Sequence, residues 1–199
     1  MKGDLMRTYD EHALLAKLEL LDRRAKTVFA MSCAQRLFPL FERYASAVGA
    51  PTRSERLAEI VAAGWALAAT PMGEVQRMEA EATSMVPDED DDGWVRESAY
   101  AQNAAAAVAY AMGAWRTDDP QQAVWAATQL YEAADYAFWQ ANPDADLNDS
   151  GAALGSGFVQ AALTAIDEDL AIVASSAPSW VELRRRADAE GRAWAATLP

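Results

Sequence analysis

Few side chains of this 199-residue chain are of the types that carry out catalysis. A Ser-His-Asp triad or a Cys-His dyad needs an imidazole within hydrogen-bond reach of the nucleophile. The single histidine, His12, lies in a predicted surface helix near the start of the sequence. The single cysteine, Cys33, lies on an apolar stripe between Phe29 and Leu37, which predicts a buried and unreactive thiol. We therefore predict no catalytic residue.

The first candidate site is a run of five carboxylates followed closely by Trp94. The run consists of Asp88, Glu89, Asp90, Asp91 and Asp92. Like charges this close repel one another in a packed element, so residues 86–93 are predicted to form an acidic loop. Like any carboxylate cluster, the run could collect Ca²⁺ or Mg²⁺ weakly, but the sequence has no clustered Cys and His for zinc and no complete calcium loop, and we predict neither a metal nor a cofactor. A solvated loop and a contact region for a basic partner both remain open.

The second candidate site surrounds Glu132, in a predicted helix that ends near residue 140. Tyr131 directly precedes this glutamate, and Tyr136 and Trp139 follow it within two turns. A lone carboxyl group among aromatic side chains has a raised pKa and can act as an acid or a base. A helix that is apolar on two sides can equally be the central helix of a bundle.

Apolar residues recur at spacings of three and four along nearly the whole chain, and alternation of period two is scarce. This pattern predicts an all-α protein, a single-domain bundle of seven to eight helices over residues 1–199. The predicted helices cover 11–22, 24–47, 52–70, 71–85, 95–115, 120–140, 158–175 and 179–199.

Capping signals place the helix starts and the connectors. Thr52 with Glu55 and Ser179 with Glu182 have the spacing of capping boxes. Asp119 followed by Pro120 is a second type of helix start, with the aspartate as N-cap. Residues 1–10 are predicted to be frayed, and 141–157 to form a long connector.

The charge balance excludes several functional classes. The formal net charge is −13, which repels nucleic-acid phosphate, so we predict no nucleic-acid binding. No apolar run approaches the roughly 20 residues of a membrane span, and we predict no membrane partner. One cysteine and a polar, charged start favour a cytoplasmic protein.

Residues 21–44 carry a distinctive pattern of types and spacing. It comprises Phe29, Ala30, Cys33, Ala34, Arg36, Leu37, Pro39 and Arg43, with an aromatic residue at position 44. In this pattern the chain resembles the bacterial family known as domain of unknown function 416, the YjaG-like proteins. The resemblance continues more loosely over residues 103–138 and implies an all-α fold.

The resemblance transfers no catalytic residue. Family members often have Glu where Gln35 stands and Tyr where Phe41 stands. Many also have a histidine and a glutamate in a segment that here spans residues 156–163 and contains neither. If those groups act chemically in relatives, this chain has lost them, which favours a binding role.

Together these observations predict a non-catalytic, macromolecule-binding protein. We expect a basic protein partner, as for an immunity, antitoxin or regulatory protein, because opposite charge speeds association and gives selectivity. The alternative is a small-molecule-binding protein or enzyme with an aromatic pocket around Glu132. A self-associating protein, such as a homodimer, is a third possibility.

Overall fold

The computed structural model describes residues 6–90, 93–146 and 150–199, and all regular structure in these ranges is helical. The α-helices are α1 (Glu11–Leu18), α2 (Arg23–Ala47), α3 (Pro51–Gly64), α4 (Met72–Ser84), α5 (Arg96–Thr117), α6 (Pro120–Ala141), α7 (Ser150–Leu154), α8 (Gly157–Val173) and α9 (Trp180–Thr197). The helices pack into one bundle, and the all-α prediction is confirmed.

Several elements differ from the sequence-based boundaries, and α1, predicted over 11–22, ends at Leu18. The predicted 141–157 connector contains the short helix α7, Ser150–Leu154. The predicted helix over 52–70 ends as an α-helix at Gly64, and a 3₁₀ turn at Leu67–Ala69 continues it. Trp65 and Leu67 pack on the core in this region, and that packing accommodates the tighter turn.

Short polar side chains cap most of the helices that bound the sites below. Asp119 accepts the backbone N–H of Gln121 at the start of α6, and Ser179 accepts that of Glu182 at the start of α9. The capping box predicted at Thr52 and Glu55 is wrong. Helix α3 begins one residue earlier, at Pro51, and its N-cap residue Ala50 provides no side-chain cap. Proline suits the first helical position because its backbone φ angle is already helical and its missing N–H needs no partner there.

Helix α2 is the central element of the bundle. It packs against α3, α5, α6, α8 and α9, and its side chains are buried on almost every side. Pro39 lies inside it, and the helix continues through this residue. Because α2 is surrounded, its polar side chains must find buried partners, and this requirement creates the Arg36 site described below.

Helices α5 and α6 form an antiparallel pair that lies against α2. Their shared face consists largely of alanine, which allows close approach of the two backbones. Aromatic pairs fix the register at both ends: Tyr110 with Trp125, and Tyr100 with Tyr136, at ring-centroid distances of 5.4 and 5.0 Å.

The segment before α1 lies across α6 and α8. Its backbone at Arg7 exchanges two hydrogen bonds with the Gln160 side chain, each 2.9 Å long. The Tyr9 ring stacks on Tyr131, and its hydroxyl pairs with that of Thr128 at 2.8 Å. Residues 6–10 of the segment predicted to be frayed are thus held by side-chain contacts.

Candidate functional site

The acidic loop is tied to the bundle at its upstream end. Asp88, Glu89 and Asp90 are exposed, whereas Asp91 and Asp92 lie outside the described residues. The Gln102 side chain donates to the carbonyl of Pro87 at 2.9 Å. Upstream, the Arg53 guanidinium donates to the carbonyl of Met85 at 3.1 Å. These bonds hold the loop beside the first turns of α5.

Trp94 follows this loop and is 36% exposed, one of the few large apolar side chains that reach solvent. Helix α5 begins just after it, where the Val95 N–H donates to the Ser98 hydroxyl at 3.0 Å. Because the start of α5 is capped, the neighbouring backbone that carries the Trp94 indole is held in place.

The aromatic residues predicted to line a pocket on α6 are engaged elsewhere. Tyr131 stacks on Tyr9 at 4.9 Å. The Tyr136 hydroxyl donates to the carbonyl of Arg96 at 3.2 Å. The Trp139 indole N–H donates to Asp135 at 3.1 Å. These side chains do not wrap around Glu132.

Glu132 itself is exposed and accepts a hydrogen bond from Gln129 at 3.3 Å. Partial shielding from water by neighbouring side chains raises the pKa of Glu132 above its usual value. The same effect raises the pKa of Asp135 one turn further along α6. The outer face of α6 therefore carries carboxylates whose charge is incompletely hydrated.

The acidic loop and Tyr136 of the second candidate site lie on neighbouring sides of α5. Tyr136 bonds to Arg96 and the acidic loop bonds to Gln102, and the half-buried Ala99 lies midway between them in sequence. Residues three apart are neighbours on a helix surface, so both groups flank Ala99. We call this surface the α5 N-terminal face. Its members are Asp88, Glu89, Asp90, Trp94 and Tyr136, and we include Glu132 because it precedes Tyr136 by one turn on the same side of α6.

A second feature, absent from the sequence-based sites, is an open cavity of about 750 Å³ between α8 and α9. We call it the α8–α9 groove. Both helices pack on α2, and Arg36 of α2 lies at its floor. Ala161 and Thr164 line one wall, and Ala193 and Trp194 line the other. Met6 and Arg7 of the N-terminal segment close one end.

A buried ion network underlies this groove. Arg36, whose side chain is 2% exposed, donates from both terminal nitrogens to Asp169, which is fully buried. Its Nε donates to Glu190 of α9 at 2.7 Å. Arg186 also donates to Asp169 and reaches Glu168 at 2.9 Å. Two guanidinium groups thus share one buried carboxylate, and α9 is joined to α8 through charges.

The network keeps Arg36 protonated. Burial alone would lower the pKa of Arg36, but the adjacent charge of Asp169 and its hydrogen bonds hold it above the ordinary value. One turn away, burial and the Asp169 charge raise the pKa of the Cys33 thiol to about 12. Cys33 is consequently a buried thiol without thiolate character at neutral pH.

Sequence reasoning treated these residues differently. Arg36 enters the sequence analysis only as part of the family pattern, and Arg186, the last of three consecutive arginines, does not enter it. Arg185 does lie on the surface, but Arg186 reaches into the network. The available signal was an arginine and an aspartate, Arg36 and Asp169, each embedded in an apolar helical stretch. Such charges are buried only in pairs.

No group of three or more His, Cys, Asp or Glu side chains that could hold a metal ion occurs among residues 6–90, 93–146 and 150–199. Within the same ranges no helix is long and apolar enough to cross a bilayer.

A family model described as "Protein of unknown function (DUF416)" matches residues 13–191. The chain belongs to the DUF416 family. A crystal structure of a DUF416 family protein from Shewanella baltica OS155 is similar in fold, with a TM-score of 0.71 and 15% sequence identity. The similarity covers 94% of this chain and 95% of that chain. No curated protein matches the present sequence significantly.

The match confirms the family suggested by residues 21–44. For this DUF416 protein the fold is shared with its structural neighbour, and the matched region includes both the α5 N-terminal face and the Arg36 network. At this level of identity the likeness speaks to the fold alone. Function has to be argued from the side chains.

Proposed function

We propose that this DUF416 protein is a non-catalytic binding protein that recognises a basic partner protein through the α5 N-terminal face. The observation that supports this most directly is the position of the acidic loop. Its hydrogen bond from Gln102 puts exposed, unpaired carboxylates beside the same helical turns that Tyr136 contacts from the other side.

The distribution of ion pairs explains where the surplus negative charge lies. Most basic side chains are already neutralised locally: Lys26 pairs with Asp118 at 2.6 Å, and Arg116 pairs with Glu79 at 2.5 Å. Arg56 is likewise shared by two glutamates. The excess that gives the net charge of −13 therefore resides on side chains such as Asp88 and Glu89, which have no cation within ion-pair distance among the described residues.

The aromatic residues supply the apolar contact area that the carboxylates lack. Unpaired surface charges speed association and select against like-charged proteins, but they contribute little affinity when they stay hydrated. Trp94 and Tyr136 present apolar area with a polar edge, and such residues are enriched at binding hot spots. An acidic rim with aromatic anchors fits a partner that offers lysine or arginine side chains around an apolar centre.

The alternative of a small-molecule or catalytic site at Glu132 has one observation in its favour, the raised pKa of this carboxyl group. A general acid or base also needs a substrate held beside it. Glu132 is exposed, and the neighbouring aromatic side chains make other contacts. We therefore assign Glu132 to the binding face.

The test is affinity capture from a lysate of the native host at low and moderate salt, with three baits. The first is the wild-type protein. The second carries Asp88→Asn, Glu89→Gln and Asp90→Asn in the loop. The third removes the same number of charges from α1, α4 and α9, through Glu19→Gln, Glu74→Gln and Glu182→Gln.

We expect one dominant basic protein on the first and third baits, lost from the second and from all baits at higher salt. Trp94→Ala should lower its affinity without changing the salt dependence, because it removes contact area and no charge. Equal capture by the second and third baits would mean non-specific attraction to an acidic protein. That result, or an empty capture on every bait, would contradict the proposal.

A further inference from the structure

The α8–α9 groove has the size and shape of a site for a small organic molecule. Its volume of about 750 Å³ lies in the range of ligand pockets, roughly 300–1,000 Å³. It exists because α8 and α9 are both seated on α2 and present short side chains to each other, chiefly Ala161, Ala165 and Ala193. Trp194 provides a broad aromatic wall.

The seat of α9 on α2 keeps this groove from closing. A Cβ atom at Gly191 would lie 2.4 Å from the carbonyl oxygen of Arg36, so the two backbones touch there. The position of α9 is thus set by α2 and by the ion pairs of Arg186. Collapse of α9 onto α8 would break the Arg36–Glu190 hydrogen bond, which is 2.7 Å long.

The charged surface of the groove consists of Glu168 and Glu190, with the guanidinium of Arg7 at the open end. The side chains of Glu190 and Glu168 are 40% and 53% exposed, whereas those of their partners Arg36 and Arg186 are 2% and 24% exposed. Each glutamate accepts a hydrogen bond on one oxygen, at 2.7 Å for Glu190 and 2.9 Å for Glu168, and the other oxygen of Glu190 lies 3.8 Å from Nε of Arg186, too far for a hydrogen bond. The second oxygen of each remains able to accept a hydrogen bond from a ligand.

The positive charges that line the groove are already engaged. Arg36 donates hydrogen bonds to Asp169, to Glu190 and to the carbonyl of Ser32. Arg7 at the open end pairs with Asp167 at 3.1 Å. An anionic ligand would have to displace an internal carboxylate, whereas a cationic ligand finds open acceptor oxygens and an indole face that attracts cations.

We infer that the α8–α9 groove binds an organic cation, a primary amine or guanidine on an apolar body. The ammonium group contacts the oxygens of Glu168 and Glu190 that make no hydrogen bond, on the solvent side of the Arg186 guanidinium that bridges the two glutamates. The apolar body lies along Trp194 and the alanine walls. This inference does not depend on the α5 N-terminal face, which is built from other helices.

The experiment uses three probes of one shape: 4-phenylbutylamine, 4-phenylbutanol and 4-phenylbutyrate. Binding to the intact protein is measured by isothermal titration calorimetry, with thermal shift as a second readout. We expect the amine to bind, with the alcohol and the carboxylate at least about tenfold weaker, since a charge-assisted hydrogen bond is lost or replaced by repulsion.

Two variants locate the site. Ala193→Phe fills the groove from an exposed position and should abolish amine binding, while Ala171→Phe, at an exposed position on α8 that does not line the groove, should not. Glu168→Gln, which removes the exposed carboxylate partner of Arg186, should weaken the amine about tenfold or more. Glu182→Gln is its charge-matched control on α9 and should leave the affinity unchanged.

Three results would overturn the inference. One is the absence of amine binding at millimolar concentration. Another is equal binding of the amine and the carboxylate. The third is amine binding that survives Ala193→Phe. Loss of partner capture on the loop-neutralised bait has no bearing on these outcomes, so the two proposals fail separately.

Discussion

Asp169 carries a charge at a position with no access to water, and the stability of α8 and α9 on α2 depends on its partners. It accepts hydrogen bonds from Arg36, Arg186 and Ser32. Removing one member of a buried pair leaves the other charge uncompensated. We expect Asp169→Ala to lower the free energy of unfolding in urea by about 3–5 kcal/mol.

Two further variants separate charge from packing at this position. Asp167→Ala removes an exposed carboxylate from the same helix and should cost at most about 1 kcal/mol. The double variant Arg36→Met with Asp169→Leu replaces the buried pair by apolar groups and should be more stable than Asp169→Ala alone. A double variant no better than the single one would show that shape, and not charge pairing, dominates.

Glu132 gives a prediction about pH. Its pKa is raised in the folded protein, so between the unfolded and folded pKa values the native state binds more protons than the unfolded state. The free energy of unfolding therefore falls as pH rises through that interval, and the ionised carboxyl is a net cost at pH 7. Below the unfolded pKa, near 4.3, the cost disappears.

We expect Glu132→Gln to raise the urea midpoint at pH 7, by an amount that shrinks as the pH is lowered toward about 4. Chemical unfolding across this range measures it, with Glu19→Gln as control for the loss of one surface charge. A lower midpoint at neutral pH would mean that the Gln129 hydrogen bond outweighs the shielding of Glu132.

The environment of a residue could be predicted from the sequence where burial follows from apolar patterning. It was less predictable where polar groups pair across a long stretch of sequence. The pattern around Cys33 was enough to place it in the core, and the structure confirms full burial. Nothing local links Arg36 to Asp169, which are 133 residues apart. Their pairing depends on how three helices meet, which periodicity does not encode.

At the scale of elements, the contact between α2 and α9 is the closest approach that glycine permits. The Cβ of an alanine at position 191 would meet the backbone of Arg36, 2.4 Å from its oxygen and 2.9 Å from its Cα. A backbone atom cannot turn aside as a side-chain end can, so α9 would have to move. We expect Gly191→Ala to destabilise the protein by about 1–3 kcal/mol in spite of alanine's better helix propensity.

The control is Gly73→Ala in α4, where an added Cβ meets nothing within 4 Å. There only the helix propensity acts, and we expect a gain of up to about 1 kcal/mol. Urea unfolding of both variants measures the contrast. A neutral Gly191→Ala would indicate that α9 shifts easily, and the groove walls would then be adjustable.

Element boundaries followed from local signals to differing degrees. Asp119 with Pro120 predicted the start of α6, because both the cap and the preset proline act within one turn. The false capping box at Thr52 shows the limit of such signals, since Pro51 one residue earlier fulfils the same role. Helix α7 was missed because five residues leave no room for a periodic pattern.

At the scale of the whole molecule, net charge makes stability depend on salt. Ion pairs neutralise most cations locally, which leaves a surplus of 13 negative charges that repel one another across the surface. Salt screens such repulsion over about 10 Å at 0.1 M. We expect the thermal unfolding midpoint at pH 7 to rise as sodium chloride is increased from about 10 mM to 0.2 M.

Differential scanning calorimetry measures this, and light scattering in parallel reports whether the protein is a monomer or a dimer at each salt concentration. The loop-neutralised variant, with Asp88, Glu89 and Asp90 as amides, should show a smaller rise. A midpoint that falls with salt would mean that surface ion pairs stabilise the fold more than the surplus charge destabilises it.

The central position of α2 also has a consequence for synthesis in the cell. Helix α2 is complete at Ala47, but α9, which covers one side of it, ends only at Thr197, about 150 residues later. At ribosomal rates of about 5–20 residues per second, that side stays uncovered for roughly 8–30 s. Arg36 spends this interval without Asp169 and Glu190. The nascent chain is therefore expected to expose an apolar helix with an unpaired cation. Chaperones would meet this surface, which is buried in the folded protein.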